Sequence, residues 1–434
     1  MRNLKSLIAA SLAVSLSAGV SGVSAENIAI TGATVHTMGA AGKIENGTVL
    51  VSNGKIVSVT TAGPVPSGFR TIDATGKIVT PGLMASGSSL GLVEVGSWAN
   101  ANDSSAAKAK VSAGLDVVWG LNPDSTLIPV TRIEGVTRAT TEFGGTKDMW
   151  GGQGAVIDLS GHSDMVVKSK AFVELSVGSW AAEKNGGNRS ALWQKINADL
   201  DAAKLAAKPE KPAKSDDKDD KKDKKDKKPA KPNADKDALV RVIKGEAPLY
   251  VNANRASDIR LVIALQAKYG IKVIISGGSD AWRVADELAK AKVPVVLHVI
   301  DNLPASFDSL GSTLSNAGRL EKAGVMVALT GDGTHNARLI VQNAGNAVAN
   351  GMSWQGAMKA MTVNPAKIFG VSGSYGTLDA GKDADVVVWS GDPLELDSSP
   401  EAVLIAGEQI ELTSRQTMLR DRYKKLTAHP AYVK

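Results

Sequence analysis

Hydrophobic positions alternate with polar ones near both ends of this chain. Residues 27–80 contain alternating stretches such as IAITGATVHTM and GTVLVSNGKIVSVTT, separated by Gly or Asn-Gly, a pattern typical of a small antiparallel β unit. The segment GTLDAGKDADVVVWSGDPLELD and the following EAVLIAGEQIEL show the same alternation near the C-terminus. We therefore predict one β domain to which both chain ends contribute, through residues 26–80 and 371–415.

Between these segments the pattern changes to short apolar runs that alternate with helical stretches. The run IKVIISGG is followed by the helical ADELAKAK and then by a second apolar run, VPVVLHVI. GVMVALTGDG and the helical NAVANGMSWQGAMKAMTV repeat this order, LVIALQAKYG has the spacing of an amphipathic helix, and we interpret residues 128–136 as a strand. Repeated strand–helix–strand units predict an α/β domain with parallel strands over residues 81–370.

The first 25 residues have the pattern of a secretory signal peptide. Arg2 and Lys5 precede an apolar stretch, 7–20, and the stretch leads to a small-x-small cleavage pattern that ends at Ala25. We expect cleavage after Ala25 and a periplasmic or secreted mature protein. No later segment is apolar over enough residues to cross a bilayer, so no membrane span is predicted.

Lysine and aspartate dominate residues 208–237. This tract holds twelve Lys against nine Asp or Glu within a chain whose formal net charge is +6. It has almost no apolar side chains, which predicts a disordered insertion in the barrel region; the alternative is an electrostatic tether to anionic polymers. Cleavage of the signal would remove Arg2 and Lys5 and leave a charge of 6 − 2 = +4, of which the tract supplies 12 − 9 = +3, so the rest of the mature chain is nearly neutral. Outside the tract there is no basic face with interleaved aromatic residues, and no nucleic-acid partner is expected. Residues 416–434 are interpreted as a C-terminal tail.

Cysteine is absent and histidine is scarce. The lack of Cys excludes disulfides, thiolate metal ligands and a cysteine nucleophile. Of the five histidines, His36 fits a strand, His162 a loop, His298 a buried position in an apolar run and His429 the tail. Only His335, three residues after an aspartate, is expected near a site.

Several motifs together resemble the amidohydrolase superfamily, near its imidazolonepropionase-like and prolidase-like branch. They are GKIVTPGLMASGSSLGLVEVGSW, MWGGQGAVIDL, APLYVNANRASDI, ALTGDG, NGMSWQGAMKAMTVNPAKIFGV and GTLDAGKDADVVVWSGDPLE. The likeness runs from about residue 27 to residue 410. It implies a (β/α)8 TIM-type barrel plus a composite β-sandwich built from the N- and C-terminal segments, with chemistry at the carboxyl ends of the barrel strands.

The resemblance also implies a divalent metal, held mainly by histidines, that activates water for attack on a carbon–nitrogen bond. In this sequence, however, the two histidine positions after the first barrel strand are Gly87 and Ser89, and the pair at the fifth strand is Asn252 and Asn254. The histidine position of the sixth strand is Gly277. Because these residue types are poor metal ligands, we predict that the family's metal centre is lost and that no cofactor is bound.

Carboxylates remain at two of the family's positions. Glu174 stands where the family has a bridging lysine after the fourth strand, and Asp332 is at the position of the aspartate of the eighth strand. Together with His335 they are an alternative centre for one zinc-like divalent ion. Without metal, Asp332 is a candidate general base, with Ser89 as nucleophile or oxyanion donor. An aspartate there also has a structural interpretation, as the cap of the following helix.

A polar and aromatic set is expected at the barrel mouth. It is predicted to bind a small amide- or dipeptide-like ligand, with satisfaction of loop backbone groups as the alternative. The set consists of Asn252, Asn254, Arg255, Asp280 and Trp282.

Two classes of function follow from the sequence. The first is an exported hydrolase of carbon–nitrogen bonds, non-peptide or dipeptide-like, with an altered site. The second is a non-catalytic periplasmic binding protein or a partner subunit of an active amidohydrolase. Whether the protein is an enzyme is left open, and self-association is a further expectation because barrel amidohydrolases commonly associate.

Overall fold

The computed structural model describes residues 26–208 and 233–424. The predicted signal peptide, most of the Lys/Asp-rich tract and the last ten residues lie outside this range, so export and disorder of the tract stay predictions. Within the described ranges, no helix has the length and apolarity needed to cross a membrane.

The N-terminal segment forms β-strands joined by tight turns. They are β1 (Ile28–His36), β2 (Lys43–Ser52), β3 (Lys55–Thr61), β4 (Arg70–Asp73) and β5 (Ile78–Pro81). The Asn53-Gly54 turn has φ values of 50° and 75°, as tight hairpins require, and β2 pairs with β3 antiparallel. The prediction of a purely antiparallel unit is wrong, because β4 and β5 both run parallel to β1.

The middle of the chain closes into an eight-stranded barrel, as predicted. The ten strands of this region, in chain order, are β6 (Leu83–Ser88), β7 (Ser105–Ala106), β8 (Val136–Thr141), β9 (Gly145–Thr146), β10 (Trp150–Asp158), β11 (Val166–Ser176), β12 (Leu249–Ala253), β13 (Val273–Gly277), β14 (Val295–Leu297) and β15 (Val327–Gly333). Strands β7 and β9 pair with each other, and the other strands close the barrel in the order β6-β8-β10-β11-β12-β13-β14-β15.

One barrel strand runs against the others. β10 pairs antiparallel with both β8 and β11, whereas the remaining barrel pairs are parallel. The connections before and after it, residues 142–149 and 159–165, are shorter than the roughly dozen residues that a parallel crossover needs. The chain therefore reverses direction, and the expectation of an unbroken (β/α)8 repeat is wrong at this strand.

Helices cover the outside of the barrel between its strands. They are α1 (Leu127–Arg132), α2 (Ser179–Lys184), α3 (Arg189–Ala206), α4 (Ala234–Ile243), α5 (Ala256–Tyr269), α6 (Ala285–Ala291), α7 (Asn316–Lys322), α8 (Ile340–Ala349), α9 (Trp354–Met361), α10 (Val363–Ile368) and α11 (Arg415–Lys424), with 3-10 turns at Ala99–Ala101, Val117–Gly120, Ala281–Val284 and Ala337–Leu339. Local chemistry sets several ends. The Asn188 side chain accepts the Ala191 N–H at the start of α3, and Gly270, with φ 68°, ends α5.

Three segments differ from their predicted state. Residues 128–136, interpreted as a strand, mostly form α1, because Pro129 is tolerated in the first turn of a helix and the apolar residues there are buried in the helical core. The predicted disordered tract, 208–237, extends too far toward the C-terminus, because α4 begins at Ala234. The Asn233 side chain caps this helix, and Leu239 within it is buried. The predicted tail, 416–434, contains most of α11.

Large apolar side chains fill the inside of the barrel. Phe172 and Tyr250 lie with their ring centroids 4.8 Å apart, and Phe369, from the segment after α10, packs 5.4 Å from Phe172. Met84 and Ile274 are buried in the same cluster. The amino-terminal half of the barrel is therefore packed, and chemistry is confined to the carboxyl ends of the strands.

The C-terminal strands complete the first sheet. They are β16 (Val386–Trp389), β17 (Pro400–Ile405) and β18 (Glu408–Gln409). β16 pairs antiparallel with β5, so both chain ends contribute to one sheet in the order β18-β17-β16-β5-β1-β2-β3, with β4 beside β1.

An ion-pair cluster joins this sheet to the barrel. Arg138 of β8 donates from Nε to Asp385 Oδ2 and from Nη2 to Asp383 Oδ2, each at 2.9 Å. The Asp385 Oδ1 atom also accepts the Ala406 N–H at 2.8 Å, and the guanidinium lies 5.0 Å from the Tyr375 ring centroid. The two aspartates of the GKDADVVVW motif thus hold the sheet against the barrel wall.

Candidate functional site

A cavity of about 480 Å³ opens at the carboxyl ends of barrel strands β8, β11, β12 and β13. We call it the mouth cavity. Its size is ordinary for a small-molecule site, and it lies where barrel enzymes carry their chemistry. The side chains that line it include Glu142, Phe143, Thr146, Asp148, Met149, Glu174, Trp180, Tyr250, Asn252 and Ser276.

Strand geometry places the polar side chains in this cavity. Residues two apart on a strand face the same side of the sheet. In each of β11, β12 and β13, an apolar side chain packs inside the barrel, and the residue two positions later is a polar residue that lines the cavity. The three pairs are Phe172 with Glu174, Tyr250 with Asn252, and Ile274 with Ser276.

Two partly buried carboxyl groups, those of Glu142 and Glu174, line the same cavity. Burial raises the pKa of Glu142 to about 8. Burial and then the charge of Glu142 raise the pKa of Glu174 well above its ordinary value, although the Phe143 N–H donates to Glu174 Oε1 at 3.2 Å and opposes the shift. At neutral pH the pair therefore retains at least one proton.

Glu142 Oε2 is buried without a hydrogen bond from the described residues. Tyr250 Oη is also buried, and its polar neighbour Ser276 opposes the rise of its pKa without completing a hydrogen bond of normal geometry. Burial, and then the charge of Glu142, raise the pKa of the Tyr250 phenol well above its ordinary value, so the hydroxyl remains a donor at neutral pH. An unsatisfied buried polar atom costs about 1–3 kcal/mol, which is a reason to expect a ligand group at this position.

Two of the family's histidine positions, Gly87 and Gly277, leave little room for a Cβ. Gly87 has φ +67°, and a Cβ there would lie 3.2 Å from Tyr250 Oη and 3.8 Å from Glu142 Oε1. Gly277 has φ +85°, and its Cβ would lie 2.6 Å from Asn254 Oδ1. Imidazole at either position would require the neighbours to move. The residues present therefore do not fit a histidine-rich metal centre.

Side-chain substitution at Gly87 is expected to be costly. Gly87→Ala should reduce the free energy of unfolding by about 1 kcal/mol more than Gly76→Ala, as measured by urea denaturation. Both glycines have positive φ, but a Cβ at Gly76 would meet open space, so the difference isolates the contact with Tyr250. Equal losses for the two variants would show that the mouth accommodates a Cβ at Gly87.

The predicted catalytic and metal-binding residues are only partly brought together. Ser89 is buried, and its hydroxyl donates to the Glu142 carbonyl oxygen at 3.3 Å, so it ties the end of β6 to the end of β8. Asp332 lies in β15. His335 is exposed in the turn after β15, with Nδ1 3.2 Å from Thr334 Oγ1. Among Ser89, His335 and Glu174, it is Glu174 that lines the mouth cavity.

Other described histidines lie in contacts outside the mouth cavity. The His36 ring stacks on Trp354 with centroids 4.5 Å apart. His162 Nε2 lies 3.3 Å from a carboxylate oxygen of Glu408, and His298 Nδ1 lies 2.8 Å from Asp301 Oδ1. Among the described side chains, no group of three or more His, Cys, Asp or Glu residues is arranged to hold a metal ion. Loss of the family's metal centre stays a prediction.

Three of the five residues predicted to bind a ligand hold their own loops. Asn254 Oδ1 accepts from the Ser279 N–H at 3.3 Å and from the Ser279 hydroxyl at 3.1 Å. Asp280 Oδ2 accepts the first N–H of α5 at 3.2 Å. Trp282 Nε1 donates at 2.8 Å to a carbonyl oxygen in the loop before α7. These contacts favour the structural interpretation for the three side chains.

The other two members of that set have different surroundings. Asn252 is exposed and lines the mouth cavity. Arg255 is the residue before the first turn of α5. Asn252 is therefore the member of the set best placed to contact a ligand in the mouth cavity.

The sequence interpretation missed Glu142, Tyr250 and Trp180. Glu142 directly follows the buried strand VTRATT, so the rule that selected Asp332, a carboxylate at a strand end, also applies to it. Tyr250 stands two positions before Asn252, and strand alternation alone would have placed the two on one face. No sequence signal indicated Trp180, because it reaches the cavity from α2.

Comparison with known proteins gives the context for this site. A sequence model of the amidohydrolase family matches residues 237–419. The protein Amidohydrolase tasK of Hapsidospora irregularis is 21% identical over 389 residues, which cover 83% of this chain and 39% of the relative, so the chain spans well under half of that protein's length.

Solved structures agree with the family match. An amidohydrolase from Thermotoga maritima MSB8 superimposes with a TM-score of 0.78 at 27% identity, covering 88% of this chain and 99% of the other. A prolidase complexed with N-methylphosphonate-L-proline superimposes with a TM-score of 0.54 at 14% identity, covering 89% and 99%, and supports the fold alone. The predicted resemblance of this chain to the amidohydrolase superfamily is thus confirmed.

Proposed function

We propose that the protein hydrolyses a carbon–nitrogen bond of a small amide- or dipeptide-like substrate in the mouth cavity, through the Glu142–Glu174 carboxyl pair rather than a histidine-held metal. The observation that carries the proposal is that Glu142 Oε2, which is buried without a partner among the described residues, lines the same cavity as the Glu174 carboxyl and the Tyr250 hydroxyl. The resemblance to the amidohydrolase superfamily supports the bond type.

The carboxyl pair supplies both proton transfers that the reaction needs. Two neighbouring buried carboxyls do not both ionise readily, so the pair can hold one proton and one negative charge. The ionised carboxyl accepts a proton as water attacks the substrate carbonyl carbon. The protonated carboxyl then donates its proton to the leaving nitrogen as the C–N bond breaks. The pair regains its starting state through the proton taken from water.

Tyr250 stabilises the oxygen of the reacting carbonyl. Its hydroxyl is protonated at neutral pH and is held rigidly, since the ring packs against Phe172 and lies 6.1 Å from the Phe369 ring centroid. A fixed donor aimed at the developing negative charge is worth more than one that must reorient. Asn252 and Ser276 offer further polar contacts at the rim, and Trp180 offers an apolar wall.

Amine release from N-acylamino acids, dipeptides and cyclic ureides tests this function. For a hydrolysed substrate, Glu142→Gln should lower kcat by about 100-fold or more, because one proton transfer is lost. Tyr250→Phe should lower kcat by about 10- to 100-fold through loss of the oxyanion donor. Glu134→Gln is the matched control, because Glu134 is a half-buried carboxyl with a raised pKa outside the cavity, and its activity should be unchanged.

Metal analysis distinguishes the carboxyl mechanism from an altered metal centre. Protein supplied with excess divalent ions and then desalted should hold less than one equivalent, and a chelator should leave the rate unchanged. A stoichiometric ion that is lost on Glu174→Gln, Asp332→Asn or His335→Ala would establish the zinc-like alternative. A compound that raises the melting temperature without being hydrolysed would instead identify a binding protein.

Export and association are separate proposals. The pattern of residues 1–25 supports secretion to the periplasm or the medium, and N-terminal sequencing of the mature protein should begin after Ala25. Copurification of a histidine-bearing amidohydrolase from a native extract would support the partner-subunit role. Light scattering of the protein purified from that extract measures its molar mass. A mass equal to that of one chain would contradict both self-association and pairing.

A further inference from the structure

A second cavity, of about 470 Å³, lies at the opposite end of the barrel from the mouth. We call it the basal cavity. Its walls come from the segments that lead into β12, β13, β14 and β15, from the ends of α5 and α6, and from the residues after α10. These are amino-terminal strand ends, so the basal cavity is separate from the proposed reaction centre.

Four lysines line the basal cavity, and no carboxylate of the described residues lies within 4.0 Å of their ammonium groups. They are Lys168, Lys272, Lys292 and Lys367. The single acidic residue of the lining, Glu246, lies 3.6 Å from Arg241 Nε and is offset by that charge. The cavity therefore carries an uncompensated positive charge.

The rest of the wall is largely apolar. Leu288, Val325 and Phe369 are buried side chains of the lining, and Met326 and Ile368 add further apolar surface. Such a wall offers few favourable contacts to a fully hydrated inorganic anion. It favours a ligand with an apolar body, because burial of apolar surface is stabilising. Cations beside apolar surface are the features that recognise an amphipathic anion.

Lys168 is the lysine best placed to bind the acid group. It is partly buried on β11, and its Nζ donates to the Phe369 carbonyl oxygen at 2.8 Å. An ammonium has three donors, so two remain for a ligand. Burial, followed by the charges of Lys272 and Arg241, lowers the pKa of Lys168, and a bound anion would relieve this repulsion.

The backbone of Lys292 adopts an unusual conformation at the end of α6. This residue ends α6 in the left-handed conformation, with φ 54°. Glycine and asparagine are the usual residues at such a position, because a larger side chain is strained in the left-handed conformation. The cap nevertheless carries a cation at the edge of the basal cavity.

We propose that the basal cavity binds a small amphipathic carboxylate, with its acid group at Lys168 and Lys272 and its hydrocarbon body against the apolar wall around Phe369. The proposal concerns binding and is independent of hydrolysis at the mouth cavity.

Isothermal titration of the full chain with decanoate tests the proposal, with 1-decanol and acetate as comparison ligands. Decanoate should bind at least about tenfold more tightly than either, since decanol lacks the charge and acetate lacks the apolar body. The double variant Lys168→Met and Lys272→Met should weaken decanoate binding by about tenfold or more and leave decanol affinity unchanged. Methionine keeps an apolar stem of similar length, so packing is retained.

Two further variants locate the ligand. Lys359→Met removes an exposed lysine of α9 that is outside the cavity and should leave decanoate affinity unchanged. Ala289→Phe fills the cavity from α6 and should abolish decanoate binding while the melting temperature stays near that of the parent. Equal affinity of decanoate for the parent and the double-lysine variant, or no binding to the parent, would overturn the proposal.

Discussion

Replacing Arg138 by methionine should lower the free energy of unfolding by about 3–5 kcal/mol, because the change leaves the buried Asp385 carboxylate without its cation. Arg138 is 4% exposed and lies 2.9 Å from oxygens of both Asp383 and Asp385. Methionine retains much of the side-chain volume, so the loss reports charge rather than packing. Urea denaturation followed by tryptophan fluorescence measures it.

A surface ion pair provides the control for that measurement. Arg260 Nε lies 2.8 Å from a Glu287 oxygen, and both side chains are about half exposed. Arg260→Met should therefore cost less than about 1 kcal/mol. Similar losses for Arg138→Met and Arg260→Met would show that the buried cluster does not hold the sheet on the barrel.

Replacing Glu142 by glutamine should stabilise the protein, by an amount that increases with pH. The folded-state pKa of Glu142 is about 8, whereas its ordinary value is 4.5. Between these values the folded state keeps a proton that the unfolded state has lost, so the free energy of unfolding falls by about 1.4 kcal/mol per pH unit. Glutamine has no such proton and avoids this loss. The gain should be near zero at pH 4.5 and on the order of 3 kcal/mol at pH 7.

Denaturation curves of the parent and Glu142→Gln from pH 4.5 to 8 measure this gain. Glu183→Gln, at an exposed position of α2, should show no pH-dependent difference. A constant gain across the range would mean that Glu142 keeps an ordinary pKa, and the proposed proton-holding pair would then be lost. If Glu142 is retained for chemistry, the Glu142→Gln variant should be more stable and less active than the parent.

The sequence predicted most of the fold, and the exceptions have local causes. Short apolar runs located β13, β14 and β15, since buried parallel strands are short and continuous. The reversal of β10 was not visible, because its direction depends on the length of two connections and not on its own residues. The segment 128–136 was mistaken for a strand because β-branched residues are common to both buried states.

The site was predicted less completely than the fold. The family resemblance assigned Gly87, Glu174 and Asn252 to the correct strand ends, because those positions follow the strand order. It could not assign Glu142 or Tyr250, since the family's histidine-based roles fall on other positions. Their proximity to Glu174 arises from barrel closure, which brings together strands that are distant in the sequence.

The reversed strand β10 has a consequence for the order in which the barrel can assemble. β8, β10 and β11 are joined by short connections, so their meander can pair through local contacts at low entropic cost. The last pair, β15 with β6, joins Thr330 to Ser86 and must close a loop that spans the rest of the barrel. Gly87, which borders Tyr250 and Glu142, lies on that seam. The reaction centre is therefore completed only when the barrel shuts, and chains halted before this step would be inactive despite a formed meander.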